Sequence, residues 1–495
     1  MALLANNIRF FDTTLRDGEQ TPGVSLSPDE KLEIASVLSD IGVHVIEAGS
    51  AAASEGEREG IRLIADAGLK AECCTFVRAL PYDIDHAVNA GAESVHLVVP
   101  VSDLHITVKL RKTREQVSKM ALDAVDYAKE RGLIVELSGE DASRADQKYL
   151  GDLFRQGMEH GADRLCFCDT VGLLTPERIQ EIIPPLCFAP LSIHCHDDLG
   201  FAMTNTMAAL KSGASCAHVT VNGLGERAGN MPFEELVMAL EVLYEYNTGI
   251  KTPDLYMLSS LVSRLTRIDL PANKAIVGSM AFTHESGIHA HGVLKDPSTY
   301  EPINPKLVGR KRRMVLGKHS GSASVSVALA DLGYEIDDSH LFEIVARIKD
   351  IGDSGRRVTD ADLMAVADSV IQMESEPAIV LEQFTVVSGN NLIPTASVTL
   401  KINGDEVTSA STGNGPVDAV IKALHQTVSG VGNIHLDDYH VDAIAGGTDA
   451  LVDVTVKLSN DGKTFTSAGV RTDIITASVE AVIAGINSLL REENK

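Results

Sequence analysis

The sequence predicts an α/β protein whose first half closes into a (β/α)8 TIM barrel. Short runs of apolar and β-branched residues recur about every 25 to 30 residues, with amphipathic helical segments between them. Eight such runs precede residue 250, and strands that alternate with helices form a parallel sheet. Eight of these units favour closure into a barrel. A doubly wound open sheet is the alternative, but that fold usually has fewer strands, and no GxGxxG turn follows the first run.

The predicted strands share a short length and an apolar, β-branched composition. They are 8–13, 43–48, 71–77, 94–99, 133–137, 164–168, 191–196 and 217–221. Between them, segments such as 29–40 and 113–130 place apolar side chains at helical spacing, which predicts helices that pack on the outside of the barrel.

The character of the sequence changes twice beyond the barrel. Residues 1–250 form the predicted catalytic barrel, and residues 251–373 are predicted to be helical linker subdomains with polar loops. A linker is expected near 374–377, where two glutamates flank a serine and a proline follows. Residues 374–495 then form a C-terminal regulatory domain.

An internal repeat supports the separate C-terminal domain. Two stretches share a strand–turn–strand–helix plan and several residues. They are 396–402, 408–410 and 417–428 in the first copy, and 452–458, 466–468 and 475–489 in the second. We therefore expect a duplicated ββα-type module with a pseudo-two-fold axis, which binds a small effector or a partner subunit. A purely structural dimerisation domain is the alternative.

Charge and composition exclude several classes of partner. The 495-residue chain carries a net charge of −26, which argues against nucleic acid because phosphate binding needs basic patches. No apolar run reaches the length that spans a bilayer, and the first seven residues become polar too soon for a secretion signal. Seven scattered cysteines give no disulfide framework. We expect a cytoplasmic protein with no membrane partner.

Polar residues follow every predicted strand of the barrel, where barrel enzymes place their working groups. In strand order these candidates are Arg16 and Asp17, Glu47, Arg78, His96, Glu140 and Asp141, Asp169 and Thr170, His194 and His196, and Asn222 to Asn230. Structural loops are not expected to carry ionisable groups at all eight strand ends.

The pair His194 and His196 is the most specific local feature. Residues two apart in a strand face the same side, so both imidazoles can bind one metal ion, while Cys195 points away. Asp17 is the expected oxygen ligand because strands one and seven flank strand eight in a closed barrel, and Asn230 can add a carbonyl oxygen. This mixed set suits Zn²⁺, Mn²⁺ or Mg²⁺.

Several neighbours of that pair suit a carboxylate substrate. Arg16 can meet a carboxylate or a developing oxyanion with its fork-shaped, permanently charged guanidinium. Thr170 offers a hydroxyl to a substrate carboxylate. Glu140 and Glu47 can hold Arg16 in place or move protons, although ordinary ion pairing at the barrel mouth is an equal alternative for both.

Five motifs in chain order resemble the signatures of one enzyme family. They are FDTTLRDGEQ at 11–20, HCHDD at 194–198, NGLGERAGN at 222–230, FTHESGIH at 282–289 and LGKHSG at 316–321. The chain resembles the isopropylmalate, homocitrate and citramalate synthase family over nearly its whole length. The second signature is usually written HCHND, and Asp197 takes the asparagine position here.

The resemblance implies a metal-dependent condensation with acetyl-CoA. A divalent metal would chelate a 2-oxo acid through its carboxylate and ketone, with Asp17, His194 and His196 as ligands and Asn230 nearby. Arg16 would stabilise the alkoxide that forms when the enolate of acetyl-CoA attacks the ketone. Hydrolysis of the thioester would then make the reaction irreversible.

The resemblance also assigns roles outside the metal site. His289, from the helical subdomain of the partner in a homodimer, would assist the acetyl-CoA end, with Glu140 and Tyr300 as helpers. His96 and Ser138 join Arg16 and Thr170 as predicted substrate-binding residues. An amino acid is expected to inhibit through the C-terminal domain, where the glycine-rich turns 413–416 and 446–449 offer backbone N–H groups to a carboxylate.

The identity of the 2-oxo acid depends on three short segments. Residues 47–49 are followed by Ser-Ala rather than the Phe-Pro that isopropylmalate synthases often carry, and segments 76–80 and 94–100 most resemble archaeal citramalate synthases, which use pyruvate. We expect (R)-citramalate and CoA as products, in isoleucine biosynthesis. 2-Oxoisovalerate, with leucine as end product, and longer 2-oxo acids as in homocitrate synthases stay open, because one or two substitutions can switch such a pocket.

Two other classes of protein stay open. Metal-dependent aldolases and pyruvate carboxyltransferases share the Arg-Asp and HxH features, but a biotin-linked carboxyltransferase would need a lysine at a strand end, and none is seen. A non-enzymatic effector-binding protein would have no need of an open metal site. The expectation is therefore an acyltransferase.

Overall fold

Eight parallel strands close into a barrel in the structure, a computed structural model. The residues it describes are 4, 7–334, 336–353, 355–356, 358–370, 379–402, 404–428, 434–443, 452–460 and 463–493. The barrel strands are β1 Arg9–Asp12, β2 Val45–Glu47, β3 Glu72–Arg78, β4 Ser94–Pro100, β5 Ile134–Glu140, β6 Arg164–Asp169, β7 Leu191–Cys195 and β8 Cys216–Val219. The predicted fold class is confirmed.

Helices connect the strands and cover the outside of the barrel. They are α1 Pro28–Ile41, α2 Glu55–Asp66, α3 Pro81–Asn89, α4 Arg114–Glu130, α5 Gln147–Glu159, α6 Pro176–Ile182, α7 Ala202–Lys211, α8 Phe233–Leu243 and α9 Leu255–Thr266. One π-helical turn, His105–Lys109, follows β4 at the mouth of the barrel. Such turns are rare and recur at functional sites.

Helix α1 shows how local sequence fixes the loop that follows β1. The Ser27 hydroxyl accepts a hydrogen bond from the Glu30 amide, and Glu30 accepts one from the Ser27 amide, so the helix begins at Pro28 with a capping box. Buried Lys31 then donates to the carbonyl of Leu15 at 3.2 Å and lies 2.6 Å from Glu19 Oε2. Helix α1 therefore anchors the loop that carries Arg16 and Asp17.

Closure of the barrel joins residues that are distant in the chain. Strand β1 pairs in parallel with β8, from Arg9 opposite Cys216 to Asp12 opposite Val219. Above them the Thr21 hydroxyl donates to the carbonyl of Gly225 at 3.1 Å and accepts from its amide at 2.9 Å, across 204 residues. The loops after β1 and β8 consequently lie side by side at the mouth.

A buried polar cluster lies inside the barrel, and we call it the Glu136 network. Its members are Glu72, Glu136, Arg164, Ser192 and His218. Glu136 accepts from Arg164 Nε at 2.7 Å and from the Ser192 hydroxyl at 3.0 Å, and His218 Nε2 lies 2.7 Å from its other oxygen. Burial raises the pKa of Glu136, but His218 and Arg164 outweigh burial and hold that pKa well below its usual range.

The chain divides into two compact units. The first runs to Phe282 and takes in Ile303–Arg312, and the second comprises Thr283–Pro302 and Arg313–Lys495. The first half of the second unit holds the paired strands β9 Thr283–His284 and β10 Arg313–Met314 and the helices α10 Gly287–Lys295, α11 Ser322–Asp331, α12 Asp338–Asp353 and α13 Asp360–Val370. Leu329, Ile348 and Leu363 belong to one buried cluster there.

The C-terminal repeat is present, and each copy has one more strand than the sequence suggested. The first copy is β11 Ile379–Gly389, β12 Leu392–Ile402, β13 Asp405–Thr412 and α14 Pro416–Val428, and the second is β14 His435–Ala443, β15 Val452–Asn460, β16 Lys463–Arg471 and α15 Ile474–Glu493. Each sheet is antiparallel. The first strands were missed because β11 and β14 share almost no residues, so the repeat did not reveal them.

Residues of both copies form one buried cluster, in which Val398 and Leu424 of the first copy join Val456 and Val482 of the second. The predicted linker at 374–377 and the predicted turn at 446–449 lie outside the described residues. Within the part of the chain that the structure describes, no helix is both long and apolar enough to cross a membrane. The domain boundaries at 250 and 373 stay predictions.

Candidate active site

A cavity of about 560 Å³ opens at the carboxyl ends of the barrel strands. Its wall includes seven of the predicted site residues. They are Arg16, Asp17, His96, Glu140, Thr170, His194 and His196. Ser138 and Asn230 are buried next to this wall, and His289 and Tyr300 belong to the second compact unit.

Asp17, His194 and His196 point their ligand atoms at one another. Asp17 Oδ2 lies 3.2 Å from His194 Nε2 and 3.6 Å from His196 Nε2, and the two Nε2 atoms are 3.3 Å apart. Ligands about 2.1 Å from one tetrahedral ion are about 3.4 Å from each other. The three atoms therefore have the spacing of a single metal site, and the three residues form one group that could hold an ion.

An unpartnered buried carboxylate oxygen and the neutral imidazole of His196 also fit a metal. Asp17 Oδ2, the atom that faces the Nε2 atoms of both histidines, is buried without a hydrogen-bond partner. Burial and His194 lower the pKa of His196 to about 4, against the opposing effect of Asp17, so this imidazole is neutral at neutral pH. Burial raises the pKa of Asp17, but Arg16 and the imidazoles outweigh it and hold that pKa well below its usual range. The donor set is therefore one carboxylate and two imidazoles, which divalent metals accept.

Asn230 lies beside this group with a free carbonyl oxygen. Its backbone forms an isolated bridge with His196, and its amide nitrogen donates to the carbonyl of Leu224 at 3.2 Å. The side-chain Oδ1 is buried and has no hydrogen-bond partner. A further oxygen donor is thus available next to the two histidines.

Arg16 is fixed between two carboxylates and an aromatic ring. Its Nε donates to Glu47 Oε2 at 2.9 Å, its other end lies 3.2 Å from Asp17 Oδ1, and its guanidinium carbon is 5.2 Å from the centre of the Phe76 ring. Burial raises the pKa of Glu47, but Arg16 and His96 lower it to about 2. The structure therefore places Glu47 as the group that orients Arg16.

His96 and Ser138 continue this chain of contacts into the barrel. His96 Nδ1 lies 2.7 Å from Glu47 Oε1, and His96 Nε2 lies 2.6 Å from the Ser138 hydroxyl. Burial lowers the pKa of His96, but Glu47 outweighs burial and raises it to about 9. Of these two residues only His96 lines the cavity, so Ser138 acts on the cavity wall through its hydrogen bond to His96.

Glu140 stands at the rim and is held by the π-helical turn. Lys109 Nζ lies 2.7 and 2.9 Å from the two Glu140 oxygens, and His105 Nδ1 lies 3.5 Å from Oε1. Thr170 also stands at the rim. Its hydroxyl accepts a hydrogen bond from the Asp141 amide at 2.8 Å, and its carbonyl accepts one from Arg227 at 2.7 Å.

His289 and Tyr300 meet within the second compact unit. His289 is on α10, and its ring centre lies 4.2 Å from that of Tyr300, with 31° between the planes. Tyr300 is 44% exposed, so much of its ring is open to a ligand.

Sequence reasoning missed Cys168 and Lys109 as cavity residues. Cys168 lines the cavity, and its register partner on the next strand is His194. Cys166 lowers the pKa of the Cys168 thiol, burial opposes this, and His96 and His194 lower it further. The same-face rule that found the histidine pair would have found Cys168, because it is also two residues from a like partner at the end of a strand. No comparable pattern marks Lys109.

Three parts of the chain match known protein families. Residues 7–262 match the HMGL-like family, residues 276–356 match the homocitrate synthase post-HMGL domain-like family, and residues 357–490 match the LeuA allosteric (dimerisation) domain. The matches follow one another without overlap.

Full-length relatives are found in archaea. A protein of Methanoculleus marisnigri, provisionally named (R)-citramalate synthase CimA, is 71% identical over 100% of this chain and 98% of its own length. The (R)-citramalate synthase CimA of Methanocaldococcus jannaschii is 53% identical over 98% of this chain and 99% of its own length.

Among solved structures, the Bacillus subtilis HMG-CoA lyase superposes with a TM-score of 0.50 at 19% identity, over 55% of this chain and 97% of that one. This likeness shows the fold alone. Family membership is shown by the family matches and the full-length relatives. The chain therefore belongs to the HMGL-like family, among archaeal proteins that carry the name (R)-citramalate synthase.

Proposed function

We propose that this protein is an acyltransferase that condenses acetyl-CoA with pyruvate to give (R)-citramalate and CoA. One observation carries the proposal. The Asp17, His194 and His196 group, with Arg16 against it, opens on a cavity in a chain whose full-length relatives carry the name (R)-citramalate synthase. Isopropylmalate and homocitrate synthesis, aldol cleavage and carboxyl transfer are not favoured by these relatives.

The proposed metal site would have three ligands and room for substrate. Asp17, His194 and His196 would hold a divalent ion, with Asn230 Oδ1 as a further donor, and such an ion polarises a ketone as a Lewis acid. Arg16, fixed by Glu47, would donate to the ketone oxygen as negative charge develops there. The Thr170 hydroxyl and His96 would hold the carboxylate end of the 2-oxo acid.

The cavity wall suits a small 2-oxo acid with an apolar end. Phe76, Val98 and Val99 line it beside Arg16 and His96. One extra methylene group in such a pocket is worth about 1–3 kcal/mol, so the preference for pyruvate over 2-oxoisovalerate depends on a few contacts.

Glu140, His289 and Tyr300 are proposed to act at the acetyl-CoA end. Glu140 stands at the rim as a carboxylate held by Lys109, where it can accept or relay a proton from the acetyl methyl group. We assign His289 to the thioester by the position of its motif at 282–289, and Tyr300 as its helper because the two rings are in contact.

The C-terminal domain is proposed to bind an amino-acid effector and to join two subunits. Residues 357–490 match an allosteric dimerisation domain, and isoleucine is the end product implied by citramalate. The turn at 413–416 has fewer free donors than expected. The Gly413 amide donates to the Pro394 carbonyl at 3.0 Å, and the Asn414 amide donates to Asp418 at 2.8 Å.

Release of free CoA thiol tests the reaction. Purified protein with acetyl-CoA, Mn²⁺ and pyruvate should release thiol, chelator should stop it, and Zn²⁺, Mn²⁺ and Mg²⁺ added back singly would identify the metal. Higher kcat/KM for 2-oxoisovalerate than for pyruvate would overturn the substrate assignment, and no release with any 2-oxo acid would overturn the reaction.

A titration with isoleucine and leucine tests the regulatory proposal. Isoleucine should lower turnover of the full chain, and a chain truncated after residue 373 should lose the inhibition if it keeps activity. Thermodynamic linkage is reciprocal. If isoleucine weakens the binding of a substrate, that substrate must weaken the binding of isoleucine by the same factor. Inhibition by leucine alone would contradict the assignment of the effector.

A further inference from the structure

Two thiols meet at the wall of the cavity, and none of the proposed catalytic steps uses them. Cys166 and Cys168 lie on β6, and their sulfur atoms are 3.8 Å apart. Residues two apart in a strand face the same side, so both side chains point into the barrel. Cys168 lines the cavity, whereas Cys166 lies among His96, Glu136 and His218.

We propose that Cys166 and Cys168 form a dithiol modification site, which a small hydroperoxide that enters the cavity oxidises to a disulfide. A hydroperoxide is the class of oxidant that converts two neighbouring thiols to a disulfide, and the geometry limits its size. Of the two cysteines only Cys168 lines the cavity, so it must react first, and the reactant must be small enough to enter a cavity of about 560 Å³. Cys166 is fully buried and becomes the resolving thiol.

The reaction balances with the hydroperoxide as sole oxidant. The Cys168 sulfur attacks the O–O bond, an S–O bond forms, the O–O bond breaks, and the departing oxygen leaves as an alcohol or water with the proton of that thiol. The Cys166 sulfur then attacks the Cys168 sulfur. An S–S bond forms, the S–O bond breaks, and the hydroxyl leaves as water with the Cys166 proton. The two thiols together lose two electrons, and one peroxide molecule gains them.

Strand geometry predicts that this disulfide is strained. Residues two apart in a strand are about 6.6 Å apart at Cα, the upper end of the roughly 4.4–6.8 Å that disulfides bridge. The sulfur atoms must also approach from 3.8 Å to a bond length of about 2.05 Å. Strained disulfides are readily reduced, so the modification should be reversible by a dithiol.

Formation of the bond should disturb the metal site. Cys168 is paired in register with His194 across β6 and β7, so a shift of Cys168 towards Cys166 moves the strand next to a proposed metal ligand. Displacement of a catalytic group by about 1 Å costs on the order of a hundredfold in rate. The turnover part of this inference rests on the proposed function, whereas the chemical modification does not.

Mass spectrometry of the full-length protein tests the dithiol directly. Treatment with hydrogen peroxide and then iodoacetamide should leave tryptic peptide 165–178, which contains both cysteines, two mass units lighter and unalkylated. Dithiothreitol before iodoacetamide should restore two alkylated cysteines, and CoA release should fall about a hundredfold and recover in parallel. A peptide that stays fully alkylated after peroxide, or carries only added oxygen, would overturn the proposal.

Two variants separate this site from general oxidation. Cys166→Ser should accumulate a sulfenic acid at Cys168, which dimedone labels, with no disulfide. Cys187→Ser is the matched control. Cys187 is half-buried, lies outside the cavity, and its thiol donates a hydrogen bond to the carbonyl of Ile183. Its peptide 165–178 should oxidise as in the unmodified protein. If the unmodified protein releases no CoA at all, the proposed function fails. The masses of peptide 165–178 then still show whether the disulfide forms.

Discussion

The barrel holds two buried clusters of similar residues with different properties. The Asp17, His194 and His196 group and the Glu136 network each combine carboxylate and imidazole, and each contains residues that could hold a metal. Both clusters contain buried side-chain atoms without a hydrogen-bond partner. Asp17, His194 and His196 line the cavity, whereas none of the five residues of the Glu136 network is part of its wall.

The difference lies in access to the cavity. Each cluster has one arginine that two carboxylates share. Glu72 and Glu136 share Arg164, and Glu47 and Asp17 share Arg16. The upper group opens on the cavity, where a cation can exchange, and the Glu136 network does not. Access, rather than residue types, distinguishes the proposed catalytic site from a structural one.

Removal of a ligand from the upper group should have the largest effect. His194→Ala should lower CoA release by at least about a thousandfold, because a metal contributes several kcal/mol and each 1.36 kcal/mol is tenfold. Metal content by mass spectrometry should fall in parallel, while the urea midpoint changes little. Full activity with full metal content would place the metal elsewhere.

A change in the Glu136 network should affect stability instead. Arg164→Met removes the cation that Glu136 and Glu72 share, although Arg9 still lies 3.4 Å from Glu72. Loss of one partner of a buried pair costs about 3–5 kcal/mol in the free energy of unfolding. Lys119→Met is the control, since its pair with Asp123 is 76% and 62% exposed and should be worth at most about 1 kcal/mol. Urea denaturation measures both. Equal midpoints for the two variants would contradict the structural role.

Arg16→Lys separates an effect on the substrate from an effect on the metal ligands. A lysine keeps the charge but cannot contact Glu47 and a substrate oxygen together, so kcat/KM should fall about a hundredfold. Metal content should be retained, unlike in His194→Ala. If metal content and activity fell together, Arg16 would act through the ligands rather than on the substrate.

The smallest expected effect is a pH dependence of stability from Glu47 and His96. The folded pKa of His96 is raised to about 9 from 6.5, so its contribution is complete below pH 6.5 and is lost as pH rises through 9. The folded pKa of Glu47 is lowered to about 2 from 4.5, so its contribution is lost as pH falls from 4.5. The stability difference between wild type and His96→Asn should therefore shrink at both extremes. A difference that is constant from pH 5 to 9 would contradict the ion pair.

Strand periodicity was enough to predict the barrel, and strand-end positions were enough to predict most of the charged and polar side chains in the cavity wall. All eight strands fall within a few residues of their predicted bounds, and Asp17 meets His194 as barrel closure required. The short buried runs and the residues that follow them are local features of the sequence, which explains this agreement.

Features that depend on distant pairing were not predictable. The Glu136 network needs the register of β3 and of β5 to β8, and no local pattern distinguishes Glu136 from other buried residues. His289 was assigned only through the resemblance to a family. The repeat did not predict strands β11 and β14, because the sequences of its two copies have diverged there.

Pairing of β1 with β8 also has a consequence for biosynthesis. Thr21 and Gly225 are 204 residues apart, and a ribosome adds about 5–20 residues per second, so roughly 10–40 s pass between the emergence of the two loops. During that interval β1 has no partner on one side, and its edge is exposed to other nascent chains. The enzyme is thus most vulnerable to aggregation while it is translated, and slow codons late in the barrel would lengthen that exposure.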